Sequence, residues 1–159
     1  MSSEPLSVEG ARKMRDRLHA AGQKLVFSNG CFDILHRGHV KYLEFARSQG
    51  DALIVGLNSD SSVLRNKGPG RPVNNERDRA VVLGALRAVD GVVIFDEEEP
   101  RALIEAILPD VLVKGRDWAH YVSGREVVEA HGGRVVLADL SEGHSTTNTI
   151  ERILRAGAV

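Results

Sequence analysis

The sequence has almost none of the features that mark secreted or membrane proteins. Cys31 is its only cysteine, so an internal disulfide is excluded and a reducing compartment is expected. The first residues, Met1-Ser-Ser-Glu-Pro, lack the charged and apolar blocks of a signal peptide. No apolar run approaches the roughly 20 residues that are needed to span a bilayer. Together these absences predict a cytoplasmic protein.

The sequence is equally poor in net charge and in several common ligand-binding patterns. Its 21 basic and 22 acidic residues give a formal net charge of −1, which offers no broad face for nucleic acid. Walker A and G-x-G-x-x-G patterns are absent, so a P-loop or a dinucleotide-binding protein loses its usual support, and there is no H-E-x-x-H zinc motif. Any anion site must therefore be local, built from a few placed groups.

Short apolar runs alternate with amphipathic stretches along the chain, whose 159 residues and 42% hydrophobic content suit one domain. The runs are rich in β-branched residues and mostly bounded by Gly, Asp or Asn, as buried parallel strands are. The predicted strands lie at 24–28, 52–57, 91–95, 111–114 and 134–138. The predicted helices lie near 8–21, 39–49, 76–88, 100–107, 124–131 and 146–156.

This alternation predicts an α/β fold, namely a Rossmann-like, doubly wound parallel sheet of about five strands with helices on both faces. We expect a single domain over residues 1–159, with a leading helix and a core from about 24 to 155. In such sheets, ligands bind beyond the carboxyl ends of the strands, where the strand order reverses. The loops that follow the strands are therefore the places to look for function.

The strongest functional pattern is an H-x-G-H element in the loop after the first predicted strand. A helix that begins at residue 37 or 38 would carry His36 and His39 on one side of its first turn, where free N–H groups and the helix dipole favour a phosphate. Gly38, and Gly30 at the strand end, would let a ligand approach the backbone. Two imidazole donors suit an in-line displacement at phosphorus, because charge builds on the phosphate oxygens.

Three other interpretations of this loop stay open from the residues alone. Asp33, His36 and His39 together would suit a transition metal. A histidine at a helix start would also serve as a cap or pack against a neighbour, and the glycines would serve as turn residues. The strand before the element and the helix after it favour the phosphate site.

Charged residues recur after the second predicted strand, and each has a plain structural alternative. Asp60, at or near a helix start, is typical of an N-cap. Lys67 lies with Arg65 and Arg71 in a Gly/Pro-rich stretch that would either fold over a triphosphate as a lid or stay a surface loop. Arg79 falls on the next helix, where a solvent-facing arginine is the usual arrangement.

The later strands are followed by further candidates. Lys114, at the end of the fourth predicted strand, can supply a point charge to a phosphate. Trp118 would either stack on a base or sugar or pack in the core. Ser145 is typical of a helix N-cap, and the hydroxyls that follow it would equally bind a phosphate.

The segment Gly30-Cys-Phe-Asp-x-x-His-x-Gly-His resembles the signature of the nucleotidyltransferase superfamily that H-x-G-H defines. Its members join a nucleoside triphosphate to a phosphate-bearing acceptor and release pyrophosphate. The resemblance implies that His36 and His39 contact the triphosphate and stabilise the transition state. It also implies that the Asn29–Asp33 loop lies against the nucleotide.

Further patterns between about Leu25 and Ile153 resemble one branch, the heptose 1-phosphate adenylyltransferases. These patterns are N-S-D-x-S-V, K-G-x-x-R-P, R-x-x-x-L-x-A-L, V-K-G-x-D-W and S-T-T-x-x-I. Those enzymes make ADP-heptose from ATP and D-glycero-β-D-manno-heptose 1-phosphate, often as the second domain of a fused kinase–adenylyltransferase. Because no sugar-kinase domain fits in 159 residues, we expect a free-standing version.

The resemblance also implies roles for individual residues. His36 and His39 would be catalytic, and Lys114 would lie close to the acceptor. Residues of several loops would bind the nucleotide, namely Asn29, Gly30, Cys31, Phe32, Asp33, Gly38, Asp60, Lys67, Arg79, Gly115, Asp117, Trp118, Ser145, Thr146 and Thr147.

The same resemblance sets the expected ligands and assembly. ATP and a sugar 1-phosphate would be the substrates, and a homodimer is expected. A divalent cation, expected to be Mg²⁺, would be held mainly by phosphate oxygens, so no residue is predicted as a metal ligand. Neither nucleic acid nor a membrane is an expected partner.

Two details bear on this identification. The adenylyltransferase pattern is V-K-G-G-D, whereas this chain has Arg116 in place of the second Gly. The replacement puts the family's backbone conformation at this position in doubt and adds a charge at the acceptor side. The related glycerol 3-phosphate cytidylyltransferases have R-T-E-G-I before S-T-T, where this chain has Leu140-Ser-Glu-Gly-His. The missing arginine disfavours a cytidylyltransferase, which stays an alternative beside a non-catalytic nucleotide-binding module and a transition-metal hydrolase.

Overall fold

The computed structural model describes residues 3–140 and 143–157, in which five parallel strands form one sheet. No helix in those two ranges combines the length and the apolar character that crossing a membrane requires. The strands are β1 (Leu25–Gly30), β2 (Ala52–Asn58), β3 (Gly91–Phe95), β4 (Val111–Gly115) and β5 (Arg134–Ala138). The helices are α1 (Val8–Ala20), α2 (Arg37–Arg47), α3 (Asp60–Lys67), α4 (Glu76–Gly84), α5 (Arg101–Ile107), α6 (Arg125–Ala130) and α7 (Thr146–Gly157), with a short 3-10 helix at Arg116–Trp118.

The predicted strands and helices are confirmed, with differences of a few residues at their ends. The largest difference is in α4, which ends at Gly84 rather than near residue 88. The pattern anticipated only a helix start near Asp60, and the structure has a complete helix α3 there.

Helices cover both faces of the sheet, as the alternation predicted. Val26 of β1 packs in a core with residues of α2 and α4, whereas its neighbours Leu25 and Phe27 pack in a second core with α1, α5 and α6. Successive strand residues point to opposite faces, so β1 supplies both cores at once. Full burial of a side chain such as Phe27 stabilises the fold by roughly 1.5–3 kcal/mol.

The strand order is β3-β2-β1-β4-β5, so the order reverses between β1 and β4. β1 pairs with β2 along its whole length but with β4 only at Val26↔Val111 and Phe27↔Leu112. The carboxyl-terminal halves of β1 and β4 are therefore not hydrogen-bonded to each other. This divergence opens a crevice at the carboxyl edge of the sheet.

The Tyr42 side chain of α2 bridges the divergence. Its hydroxyl donates to the Val113 carbonyl at 3.1 Å and lies 2.7 Å from the Ser28 hydroxyl. Because the phenol has one hydrogen, Ser28 is the donor in the second bond. Burial raises the pKa of Tyr42 to about 12, so the phenol stays protonated. Tyr42 follows His39 by three residues, so this anchor sets the first turn of α2 beside the crevice.

Candidate active site

His36 and His39 form a reciprocal cap at the start of α2. Nδ1 of His36 accepts the His39 backbone N–H at 3.4 Å, and Nδ1 of His39 accepts the His36 backbone N–H at 3.3 Å. Their rings stack with centroids 3.8 Å apart. The helix begins at Arg37, as predicted. The interpretation of the histidines as caps is therefore confirmed, yet each cap uses only one of the two ring nitrogens, Nδ1.

The capping bonds determine which ring nitrogen carries the proton. A backbone N–H can only donate, so Nδ1 is unprotonated and the neutral ring carries its hydrogen on Nε2. Burial, and next the charge of His36, lowers the pKa of His39 to about 4. Burial, and next His144, also lowers the pKa of His36. Both rings are therefore neutral near pH 7, and each has an Nε2–H available for donation to a ligand.

Gly38 is needed by the histidines themselves. A Cβ at this position would lie 2.9 Å from Cε1 and 3.0 Å from Nδ1 of His36, and 3.0 Å from Cβ of His144. These distances are shorter than ordinary van der Waals contact. The packing of the His36 ring therefore already requires glycine at this position. The approach of a ligand to the same backbone stays a prediction.

Gly30 makes room for a strained neighbour. Phe32 has φ +42°, a left-handed conformation that is uncommon for a bulky residue. A Cβ on Gly30 would lie 2.8 Å from the Phe32 ring, which itself packs at 5.4 Å from the His39 ring. The conformation of the β1–α2 loop thus places an aromatic side chain against the second histidine.

Arg79 is buried, so the expectation of a solvent-facing arginine is wrong. Its side chain crosses beneath the site, where Nη1 donates to the carbonyls of Cys31 and Asn58 at 2.7 and 2.9 Å. Nε donates to the Asn74 carbonyl at 2.9 Å, and Nη2 pairs with Asp60 at 2.8 Å. One guanidinium therefore ties the ends of β1 and β2 to α3 and to the loop before α4, which a planar fork of five donors allows.

Two predicted phosphate-site carboxylates have protein partners. Asp33 is buried and accepts the backbone N–H groups of Val73 at 2.6 Å and Asn74 at 3.0 Å. Asp60 is the first residue of α3, and the side chain of Ser59 is the N-cap, so the capping assignment was off by one residue. Asp33 holds the loop before α4, and Asp60 holds α3 to Arg79. Direct contact of either carboxylate with phosphate stays a prediction.

The Lys114 side chain spans the crevice from β4 to β1. Its Nζ donates to Oδ1 of Asn29 at 3.3 Å and lies 5.2 Å from the centre of the Trp118 ring. Burial lowers the pKa of Lys114, while Asp117 raises it. Trp118 is 47% exposed and stacks on His120, so the alternative of a core tryptophan is wrong.

The Val113-Lys-Gly-Arg-Asp-Trp segment tolerates its departure from the family pattern. Arg116 is the first residue of the 3-10 helix, and within the described ranges the only non-glycine residues with positive φ are Phe32 and Leu108. The backbone at position 116 therefore does not require the glycine that the family pattern has there. Its exposed side chain pairs with Asp139 at 2.7 Å. A Cβ on Gly115 would lie 2.5 Å from Oδ1 of Asp117, so a larger residue there would displace the Asp117 side chain.

The start of α7 lies beside the start of α2. Ser145 caps α7 by accepting the Asn148 N–H at 3.0 Å, which confirms the predicted cap. The Thr146 hydroxyl donates to the Ile34 carbonyl at 3.4 Å, and the His144 ring lies 6.0 Å from that of His36. Two helix N-termini therefore converge at the histidines. Thr147 is exposed on the first turn, and Ser141 and Glu142 of the preceding segment lie outside the described residues.

Several positive charges surround the β1–α2 loop. Burial raises the pKa of the Cys31 thiol, and the neighbouring cations oppose this rise; they are Lys67, Arg79, Arg71 and Lys114. Lys67 is exposed at the end of α3. Sequence reasoning did not single out Tyr42 or commit to Arg71, because nothing local to either residue marks the contacts that it makes with β4 or Asp33.

The side chains at this site are not arranged as a metal centre. In the described parts of the chain, no group of three or more His, Cys, Asp or Glu residues is placed to hold a metal ion. Both Nδ1 atoms of His36 and His39 accept backbone N–H groups, and both oxygens of Asp33 do likewise. The arrangement instead offers donors and positive charge, which suit phosphate groups.

Comparisons with known proteins agree with this chemistry. Residues 27–152 match the family described as cytidylyltransferase-like. The bifunctional protein HldE of Mesorhizobium japonicum is 57% identical over 154 residues, which are 96% of this chain and 31% of that protein. HldE of Syntrophotalea carbinolica is 53% identical over 147 residues, which are 92% of this chain and 30% of that protein. The chain thus spans about a third of the length of these curated relatives.

Solved structures show the same architecture. A lipopolysaccharide core biosynthesis protein from Thermoplasma volcanium superposes with a TM-score of 0.62 at 28% identity, covering 77% of this chain and all of that one. A pantoate–β-alanine ligase from Francisella tularensis, solved with an ATP compound and β-alanine, has a TM-score of 0.59 at 15% identity. It covers 94% of this chain and 77% of that one, and at this identity it supports the fold alone.

Proposed function

The chain belongs to the cytidylyltransferase-like family of nucleotidyltransferases, and we propose that it transfers the AMP part of ATP to a sugar 1-phosphate. The acceptor proposed is D-glycero-β-D-manno-heptose 1-phosphate, and the products are ADP-heptose and pyrophosphate. The observation that carries the proposal is the reciprocal cap of His36 and His39 at the crevice, since it leaves two neutral Nε2–H donors side by side.

In the proposed reaction an oxygen of the sugar phosphate attacks the α-phosphorus of ATP in line. The bond between the α-phosphorus and the oxygen that bridges to the β-phosphorus breaks, and pyrophosphate leaves with that electron pair. A phosphate monoester has its second pKa near 6, so the acceptor is already largely a dianion near pH 7 and needs no general base. Neutral histidines are suited to this step, because they donate hydrogen bonds to the oxygens on which charge builds.

The remaining groups would bind and orient the substrates. Lys114 would hold the acceptor phosphate at the mouth of the crevice, where Trp118 is exposed for contact with a sugar or base. The hydroxyls and backbone N–H groups at the start of α7 would receive the triphosphate. A Mg²⁺ ion would be held mainly by the phosphate oxygens of the nucleotide, which carry the negative charge that this site of donors and cations lacks, and it would neutralise charge on the leaving pyrophosphate.

Resemblance across the whole domain supports the choice of acceptor. The motifs after β2, β4 and before α7 are those of heptose 1-phosphate adenylyltransferases, which often occur fused to a kinase. Bifunctional relatives, of which this chain matches about a third, are consistent with that fused arrangement. The similar structure from Thermoplasma volcanium carries a name from lipopolysaccharide core biosynthesis, which is in keeping with a sugar phosphate as the acceptor.

A matrix of nucleotides and acceptors tests the proposal. ATP, CTP, GTP and UTP are each combined with both anomers of the heptose 1-phosphate, with glucose 1-phosphate and with glycerol 3-phosphate, and pyrophosphate release is measured. We expect turnover with ATP and the β anomer, and ADP-heptose by mass spectrometry. His131→Ala is the matched control for alanine variants of His36 and His39, because His131 is exposed at the end of α6, which leads into the amino end of β5, at the opposite edge of the sheet. Turnover only with CTP and glycerol 3-phosphate would favour a cytidylyltransferase, and ATP binding without turnover would favour a non-catalytic module.

We also propose that the protein acts in the cytoplasm as a homodimer. The use of ATP and the lone reduced cysteine suit that compartment. Ile153 and Leu154 of α7 are 60% and 67% exposed, which provides an apolar face for a second copy. Light scattering of the purified chain should give twice the monomer mass, and a monomer mass would contradict the dimer.

A further inference from the structure

The segment between α3 and α4 turns on two glycines at one end and is held by buried side chains at the other. Gly68 and Gly70 have φ of +89° and +82°, and a Cβ on either would meet nothing within 4 Å. The other end is held at the Asn74 peptide, whose N–H donates to Asp33 and whose carbonyl accepts from Arg79. Arg71 lies between the two glycines and this anchor.

Hydrogen bonds hold the segment at residues 73–74, whereas a groove separates the segment from α3. A groove of about 330 Å³ lies between α3 and this segment, with Asp60, Leu64, Arg71 and Val73 among its lining residues. The Asp33 carboxylate lies beneath the segment, and its side chain is 1% exposed. Because a buried carboxylate forms strong hydrogen bonds with peptide N–H groups, Asp33 determines where residues 73–74 run.

Arg71 stands at this anchor without a hydrogen bond of its own at Nε. That atom lies 3.9 Å from Oδ2 of Asp33, beyond hydrogen-bond distance, and within the described residues it is shielded from solvent and has no acceptor. The side chain as a whole is 20% exposed, so part of the guanidinium faces outward. Its charge acts on Cys31 of the β1–α2 loop, and the family resemblance implies that this loop lies against the nucleotide.

We propose that Arg71 binds the triphosphate of the incoming nucleotide and that Asp33 is the positioning residue that holds Arg71 at the β1–α2 loop. The proposal rests on the proposed function for the identity of the ligand as a nucleoside triphosphate. It assigns Asp33 a role through the loop that it fixes, in place of direct phosphate contact. Arg71 supplies the planar, permanently charged donor set that phosphate oxygens accept.

Calorimetric titration with ATP and with AMP in the presence of Mg²⁺ tests this assignment. Arg71→Ala should weaken ATP binding about tenfold, the effect of one charged hydrogen bond, and leave AMP binding within about twofold. Arg71→Lys should restore part of the ATP affinity. Asp33→Ala should reproduce the ATP-selective loss, and the double variant should bind ATP no more weakly than Asp33→Ala, because the two residues act as one unit.

The control is Arg77→Ala, which removes a 74% exposed cation from the start of α4 and should leave both affinities unchanged. Equal weakening of ATP and AMP by Arg71→Ala, or no weakening of either, would overturn the proposal. If Asp33→Ala does not fold, the two Arg71 variants still decide the role of Arg71, and Asp33→Asn then tests the positioning role. A lack of ATP binding by the unmodified chain would overturn the proposed function as well, whereas normal ATP binding by Arg71→Ala overturns this inference alone.

Discussion

Nδ1 of His36 and Nδ1 of His39 each accept the backbone N–H of the other residue. The same two side chains therefore start α2 and present two Nε2–H groups, so the capping role is compatible with the proposed catalytic role. The usual N-cap residues Ser, Asp and Asn would satisfy the backbone equally well, but none of them carries a donor on the far side of a ring. This relationship shows how one helix start can be capped and still offer two donors for the proposed phosphoryl chemistry.

Replacement of His36 by Asn separates the two roles. Asparagine is a good N-cap, so the unfolding free energy should stay within about 0.5 kcal/mol, whereas His36→Ala should lose about 1 kcal/mol. Both variants should turn over about 100-fold more slowly, because the Nε2–H donor is gone. Urea unfolding and pyrophosphate release measure the two effects. Near-normal turnover in both His36→Ala and His39→Ala would exclude the catalytic assignment.

The low pKa of His39 predicts a pH-dependent stability. Between pH 6.5 and about 4 the unfolded chain binds a proton at this residue and the folded chain does not, so the unfolding free energy should fall as the pH drops through this window. The stability contribution is fully present above pH 6.5. Urea unfolding at several pH values gives the change of the unfolding free energy with pH. This change should be smaller for His39→Asn than for the unmodified chain, and an identical pH dependence would contradict the low pKa of His39.

Gly38→Ala should disturb the His36 ring. The new Cβ would lie 2.9 Å from the imidazole, which must then turn away from its stacked partner. We expect turnover to fall at least about tenfold, as for a displaced catalytic donor. Gly157→Ala, at the end of α7, is the matched control, because a Cβ there meets nothing within 4 Å. Unchanged turnover in Gly38→Ala would show that the ring position is not critical.

Arg79→Ala should strongly destabilise the fold. Its removal leaves the carbonyls of Cys31 and Asn58 without their donor, and the partly exposed Asp60 carboxylate without its partner. An unsatisfied acceptor inside the protein costs about 1–3 kcal/mol, so the two carbonyls together should cost about 2–6 kcal/mol. Arg77→Ala, on the same helix but exposed, should change the unfolding free energy by less than about 1 kcal/mol. Urea midpoints compare the two, and similar midpoints would contradict this role.

Lys114→Met should affect the acceptor more than the nucleotide. The variant keeps much of the length of the side chain but removes the charge that lies between Asn29 and Trp118. We expect KM for the sugar phosphate to rise about tenfold while the Kd for ATP stays the same. Steady-state kinetics and calorimetry provide the two values. An equal loss for ATP would assign Lys114 to the nucleotide instead.

Much of the fold and part of the site followed from local patterns. Each strand was visible as a short apolar run, because a strand buried on both faces needs apolar residues at every position. His36 and His39 were visible because the spacing within one helical turn brings them together whatever the rest of the chain does. The roles of Asp33 and Arg79 were not visible. Asp33 is bonded to Val73, 40 residues away in the sequence, and Arg79 to Cys31, 48 residues away.

The sequence by itself therefore determined the order of strands and helices along the chain, the helix start at residue 37 or 38 and the pairing of the two histidines. Only the tertiary structure decided that β1 and β4 diverge around Tyr42, that Arg79 is buried beneath the crevice, and that Asp33 faces the loop at Val73. The physical reason is the range of the interactions. Helix and strand periods act between neighbours along the chain, whereas hydrogen bonds of buried side chains depend on which distant backbone groups the packed sheet leaves unpaired.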